Sequence, residues 1–124
     1  VAKRTVLICD DAKIMRAVIR KLLEESGYFE IVGEVGDGVQ VVAEFKRLKP
    51  SLVVLDLNLP IRDGNAAAKE ILQEDPHANI LLTTTKGQKS KVDALHSLGI
   101  VHACFKPIDN YEFVRTAMKA CGIE

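Results

Sequence analysis

Four apolar runs in this chain each end on a residue suited to phosphate chemistry. Val6-Leu7-Ile8-Cys9 runs into Asp10-Asp11, Leu52-Val53-Val54-Leu55 into Asp56, Ile80-Leu81-Leu82-Thr83 into Thr84, and Val101 to Phe105 into Lys106. If the three carboxylates converge, each like-charged pair about 4 Å apart repels by roughly 4 kcal/mol at an effective dielectric near 20. Such a cluster needs a cation among its members or a proton kept on one of them. Mg2+ suits it, because that ion takes oxygen ligands, keeps several waters and is held by one or two carboxylates plus phosphate oxygens. A carboxylate can also attack phosphorus and form an aspartyl phosphate, with an ammonium and a hydroxyl binding the remaining oxygens. The chemistry indicated is phosphoryl transfer at a divalent cation. No comparable set of residues stands at the opposite ends of the runs.

Something must bring these residues together, and the pattern between them says what. Strand and helix periods alternate along the whole chain. The expected strands are Thr5–Cys9, Glu30–Val35, Leu52–Asp56, Asn79–Thr84 and Ile100–Phe105. The third is apolar on both faces, as a central parallel strand covered by helices should be. The first helix carries Ile14, Met15, Val18, Ile19, Leu22 and Leu23 as its apolar stripe and stops at Gly27. The second carries Val39, Val42, Ala43 and Leu48 and closes before Pro50. The third begins after Gly64 and ends before Pro76, and the fourth covers roughly Lys89–Leu98. The fifth follows Asp109 or Asn110, with Phe113, Val114, Ala117, Met118 and Cys121 inward.

Five such β-α units call for a doubly wound five-stranded parallel sheet with helices on both faces. The flavodoxin-like order 2-1-3-4-5 is the common choice at this length, and its switch point lies between strands one and three. Asp10, Asp11 and Asp56 end those two strands. In a parallel sheet all the carboxyl ends share one edge, so the four motifs should meet there.

Composition narrows the field. The 124 residues fit one domain, expected over 1–124, and an apolar content of 48% reads as an ordinary globular protein. Seventeen basic and seventeen acidic residues give zero net charge, which argues against direct nucleic-acid binding. No stretch of eighteen apolar residues is present, so no membrane-spanning helix is expected. The start, Val1-Ala2-Lys3-Arg4, leads straight into a strand pattern with no secretory segment, and a cytoplasmic location is expected. Cys9, Cys104 and Cys121 fall in apolar segments without CxxC spacing and read as buried reduced thiols.

These motifs closely resemble those of the CheY-like response-regulator receiver domain of two-component signalling. The resemblance covers the whole chain: Asp10-Asp11, then Asp56-Leu57-Asn58-Leu59-Pro60 with Asp63-Gly64, then Thr84, then Lys106-Pro107, with 28 residues from Asp56 to Thr84 and 22 from Thr84 to Lys106. It implies that Asp56 accepts the phosphoryl group, and that Asp11 and Asp56 hold Mg2+ with Asp10 positioning a metal-bound water. Asn58 would contribute its backbone carbonyl to the metal, Thr84 and Lys106 would contact phosphoryl oxygens, and the Lys106-Pro107 bond would be cis. The donor implied is a phosphohistidine on a sensor histidine kinase or phosphotransfer protein, or a small phosphodonor. The implied recipient of the signal is a downstream target or output domain that meets the face formed by helix four, strand five and helix five, with Lys89, Lys91, His96, Tyr111 and Arg115.

Some positions depart from the family pattern. The aromatic residue usual three positions before the strand-five lysine is Ala103 here, and His102 points to the other sheet face by period two. The small residue usual after the switch threonine is Thr85. Two alternatives stand beside a free-standing switch. One is the receiver portion of a longer regulator, for instance with a DNA-binding output. The other is a phosphatase of the haloacid dehalogenase type, which places a second Asp two residues after its nucleophile, where this chain has Asn58.

Overall fold

The computed structural model describes residues 2–123. Five parallel strands, β1 (Arg4–Cys9), β2 (Phe29–Val35), β3 (Leu52–Asp56), β4 (Ile80–Thr85) and β5 (His102–Lys106), form one sheet in the order β2-β1-β3-β4-β5. They alternate with helices α1 (Lys13–Glu25), α2 (Gly38–Leu48), α3 (Gly64–Glu74), α4 (Lys89–His96) and α5 (Asn110–Ala120), and a 3-10 turn over Lys86–Gln88 leads into α4. The expected architecture and strand order are the observed ones. Strand limits differ by one or two residues, most in β5, where the apolar Ile100 and Val101 precede the ladder that starts at His102.

Two cores lie on either side of the sheet. Val6, Ile8 and Val54 pack beneath α1 and α5 with Ile19, Leu23, Phe113 and Ala117. Leu7, Val53 and Leu82 pack beneath α2, α3 and α4 with Val41, Ile71 and Leu95. Each fully buried large side chain contributes about 1.5–3 kcal/mol relative to exposure. The alternation matters for the site. Asp10 continues the row of Val6 and Ile8, Asp56 that of Leu52 and Val54, and Lys106 that of Cys104, all on the α1/α5 side.

Helix stripes were only partly legible. On α1, Ile19 and Leu23 are buried, whereas Ile14 is 81% exposed and Val18 also faces solvent. On α2 the buried positions are Gly38, Val41 and Phe45, with Val42 and Leu48 half-buried, while Val39 and Ala43 are exposed. The physical reason is that the face turned to the sheet is a row of residues four apart, Ile19 and Leu23 on α1 and Val41 and Phe45 on α2, and the exposed apolar residues lie off that row. On α5, Phe113, Ala117 and Cys121 are buried as expected.

Local signals fix the helix starts. The Asp37 side chain accepts from the backbone N–H groups of Val39 and Gln40, that of Asp63 from Ala66, and that of Asp109 from Glu112. Ala12, at the start of α1, has no side-chain cap of its own; instead Asp10 Oδ1 accepts from the Ala12 N–H at 2.8 Å. An acid of the site therefore also starts a helix.

Candidate functional site

Asp10, Asp11 and Asp56 each offer a carboxylate oxygen, and these three oxygens lie within 4.8 Å of one another. Asp10 and Asp56 are buried, Asp11 is exposed, and the cluster opens at the carboxyl edge of β1 and β3. The distant acids do converge.

Lys106 completes the cluster from β5. Its Nζ donates to Asp10 Oδ2 and to Asp56 Oδ2, each at 3.0 Å. Burial alone would lower the lysine pKa, but the two carboxylates override it and the net shift is upward. Asp56 moves upward from the usual carboxylate range chiefly because burial disfavours its charge, with the Asp10 charge adding to the effect. The Asn58 N–H and Lys106 act in the opposite direction without cancelling it. An ammonium thus provides part of the positive charge that the acids require.

Thr84 and Asn58 border the acids on a second side. Asn58 donates its backbone N–H to Asp56 Oδ1 at 2.9 Å, and its Nδ2 lies 3.4 Å from Thr84 Oγ1. Thr84 is fully buried at the end of β4. All six residues singled out from sequence, Asp10, Asp11, Asp56, Asn58, Thr84 and Lys106, meet at this edge. The Lys106-Pro107 peptide is cis. Ala103 lies on the α2–α4 side of the sheet, packed against that core. His102, the neighbouring residue of β5, faces the opposite side by strand alternation, and burial lowers its pKa, with the charge of Lys119 on α5 adding to the effect.

The loop after Asp56 is held tightly. Gly64 N–H donates to Leu57 O at 3.0 Å, and a Cβ on Gly64 would lie only 2.3 Å from the Asp56 carbonyl oxygen. Gly38 N–H donates to Pro60 O at 3.2 Å, and a Cβ there would lie 1.6 Å from the Arg62 carbonyl oxygen. Only glycine allows either approach. Between these glycines Ile61 adopts a left-handed backbone, φ 69°, with its side chain 83% exposed.

Sequence patterning gave no hint of Arg16. Its side chain crosses from α1 to the end of β1 and donates to the Asp10 carbonyl oxygen at 2.6 Å. It also pairs with Glu34 on β2 at 3.1 Å. A charged residue on the polar side of a helix carries no period that would mark it, and its partner lies eighteen positions away.

A family model for the response regulator receiver domain matches residues 6–118. The chain is 34% identical over 116 residues to the chemotaxis protein CheY of Thermotoga maritima, a match covering 94% of this chain and 96% of that protein. It is 39% identical over 92 residues to a protein-glutamate methylesterase/protein-glutamine glutaminase of Methanosarcina acetivorans, covering 73% of this chain but 26% of that enzyme. In fold it is similar to the signal receiver domain of the response regulator NarL from Mycobacterium tuberculosis, with a TM-score of 0.90, 23% identity and 98% of each chain covered. With a matching family model over most of its length and a full-length relative of this kind, the chain belongs to the response regulator receiver family.

Proposed function

We propose that this receiver is a phosphorylation switch in which Asp56 accepts a phosphoryl group in a Mg2+-dependent reaction. The observation that carries this reading is the convergence of Asp10, Asp11 and Asp56 to within 4.8 Å under the ammonium of Lys106. The donor set fits Mg2+: it is oxygen-only and anionic, and its partly open side suits an ion that retains water. Asp10, Asp11 and Asp56 would hold the ion, with the Asn58 carbonyl. Once bound, Mg2+ supplies charge neutralisation for the phosphoryl oxygens.

An Asp56 carboxylate oxygen attacks phosphorus, the bond from phosphorus to the donor breaks, and the donor keeps the bonding electron pair. With a phosphohistidine donor, the ring nitrogen released then takes a proton from solvent. Lys106 turns from the acids toward a new phosphoryl oxygen, and the Thr84 hydroxyl donates to another. Burial helps, since donors aimed into a site of low dielectric stabilise developing charge more than they would in water. The partners this chemistry implies are a sensor histidine kinase or phosphotransfer protein upstream and a target protein or output domain downstream.

The phosphoryl group carries roughly −1.5 to −2 charge and three acceptor oxygens, in place of the single charge of the Asp56 carboxylate. Thr84 stands just before the 3-10 turn and α4, and Lys106 just before α5. Drawing both side chains toward the new anion biases the packing of the α4–β5–α5 face, a shift between two states. Lys89, His96, Tyr111 and Arg115 are exposed on that face and Lys91 is half-buried. Arg115 lies over the Tyr111 ring, 5.7 Å from its centroid.

The test is labelling by a small phosphodonor in Mg2+. One equivalent of acid- and base-labile phosphate is expected on the parent and none on Asp56→Asn. Equal labelling of the variant would overturn the assignment. Amide shifts in the α4–β5–α5 face are expected on titration with a phosphoryl mimic, and their absence would remove that face from the proposal. A second reading, that the switch governs an attached output domain, is supported by the match to only 26% of the methylesterase's length. The length of the native reading frame separates the two.

A further inference from the structure

Asp10 is held from every side. Its N–H donates to Val35 O at 3.1 Å, its Oδ1 accepts from Ala12, its Oδ2 from Lys106, and its carbonyl oxygen from Arg16 Nη1 at 2.6 Å. The last contact is the unusual one, a charged donor on the peptide that joins two acids of the site. The guanidinium is itself anchored. Arg16 Nε meets Glu34 Oε1 at 3.1 Å, and the other Glu34 oxygen is taken by Arg20 at 2.7 Å. Gly36 leaves room for it: a Cβ at that position would lie 3.3 Å from Arg16 Nη1.

Because the peptide unit is planar, fixing its carbonyl fixes ψ of Asp10 and with it the positions of the Asp11 nitrogen and Cα. Those positions set the point from which the Asp11 side chain leaves the backbone. Asp10 has several other restraints. Asp11 is exposed, and no hydrogen bond of its side chain is found among the described residues. Its approach to the other two carboxylates therefore depends on the backbone that carries it.

We infer that Arg16 is a positioning residue for cation binding: by gripping the Asp10 carbonyl from a Glu34 anchor, it aims the Asp11 carboxylate at the cluster it shares with Asp10 and Asp56. This rests on the proposed Mg2+ site. Arg16 touches neither the ion nor the phosphoryl group. It acts as the outer support of a ligand, a role whose loss typically weakens metal affinity by about 10–100-fold.

The experiment is calorimetric titration of the full chain with Mg2+ alone at pH 7, together with 1H–15N spectra of the metal-free protein. Arg16→Met is expected to weaken Mg2+ binding about tenfold and to shift the Asp11 amide while the chain stays folded. Arg16→Lys, which cannot span both partners as a fork, should fall between parent and Arg16→Met. Arg20→Met shares the Glu34 anchor but not the Asp10 contact, and should bind within about twofold of the parent. If Arg16→Met does not fold, Glu34→Gln gives the readout, with weakened affinity and the same Asp11 amide shift expected. Parent-like affinity in Arg16→Met, or in Glu34→Gln where that variant stands in for it, would overturn the inference. So would an equal loss in Arg20→Met. A parent that binds Mg2+ only with Asp11 intact, beside an Arg16→Met that binds equally well, ends this inference alone. A parent without Mg2+ affinity ends it together with the site reading.

Discussion

The ammonium of Lys106 lies 3.0 Å from Oδ2 of Asp56, although the two residues are fifty positions apart and come from strands separated by β4. The same ammonium reaches Asp10 Oδ2 at 3.0 Å. Three clustered acids are therefore compatible with the fold because a cation on a different strand end stands among them. A metal bound there would compete with the lysine for the same carboxylate oxygens. A phosphoryl group on Asp56 would give the released ammonium a new partner.

Removing that ammonium should be costly. Lys106→Met leaves Asp10 and Asp56 as buried carboxylates without a counterion, and a loss of about 3 kcal/mol is expected at pH 7 without metal. The Asp56 pKa is raised above 3.8, so its charge is neutralised early as pH falls, and the deficit of the variant should narrow in acid. The lysine pKa is raised above 10.5, so its own contribution is fully present below that value and lost as pH rises through the higher folded value. Urea melts of parent and variant from pH 4 to pH 11 check both arms. A constant difference across the range would mean that the pair is not electrostatic in origin.

Ile61 gives a prediction of opposite sign. A β-branched residue at φ 69° is strained, and its side chain is too exposed to gain much from burial. Asn tolerates this backbone better, so Ile61→Asn should raise stability by about 1 kcal/mol. Thermal denaturation reads this directly, and a lower melting temperature would show that Ile61 is held by packing after all.

Thr83 lies beside Asp56 in the β3–β4 register, 1% exposed, and its hydroxyl has no hydrogen-bond partner among the described residues. A buried donor left unpaired costs roughly 1–3 kcal/mol. Thr83→Val keeps the shape and removes the donor, and is expected to stabilise the fold by about 1 kcal/mol. A loss of stability in chemical denaturation would instead mean that the hydroxyl is partnered, for example by ordered water.

The strand ends were readable because burial makes their chemistry conspicuous. A polar residue closing an apolar run, as Asp56 does after Leu52 to Leu55, marks where a strand leaves the core. Parallel pairing then collects such residues at one edge, and sequence order ceases to matter. Helix faces were harder. On α2 the apolar residues Val39, Val41, Val42, Ala43 and Phe45 surround much of the helix, so periodicity does not choose between a stripe through Val39 and one through Val41. The tertiary contact of Gly38 with the loop at Pro60 and Arg62 sets the rotation. Arg16 was invisible for a related reason. Its role comes from a backbone carbonyl, which every residue has, and from a glutamate on an edge strand.

The contacts of Gly38 and Gly64 on the loop after Asp56 have a mechanical consequence. With no side chain at Gly38 or Gly64, main chain lies directly against main chain, leaving little slack for the segment to recoil when Asp56 changes. Under the proposed function the acceptor behaves as an anvil. Displacement would be taken up across the sheet, where Thr84 and Lys106 lead into short connections, and the moving parts of the device would lie on the side away from the residue that is modified.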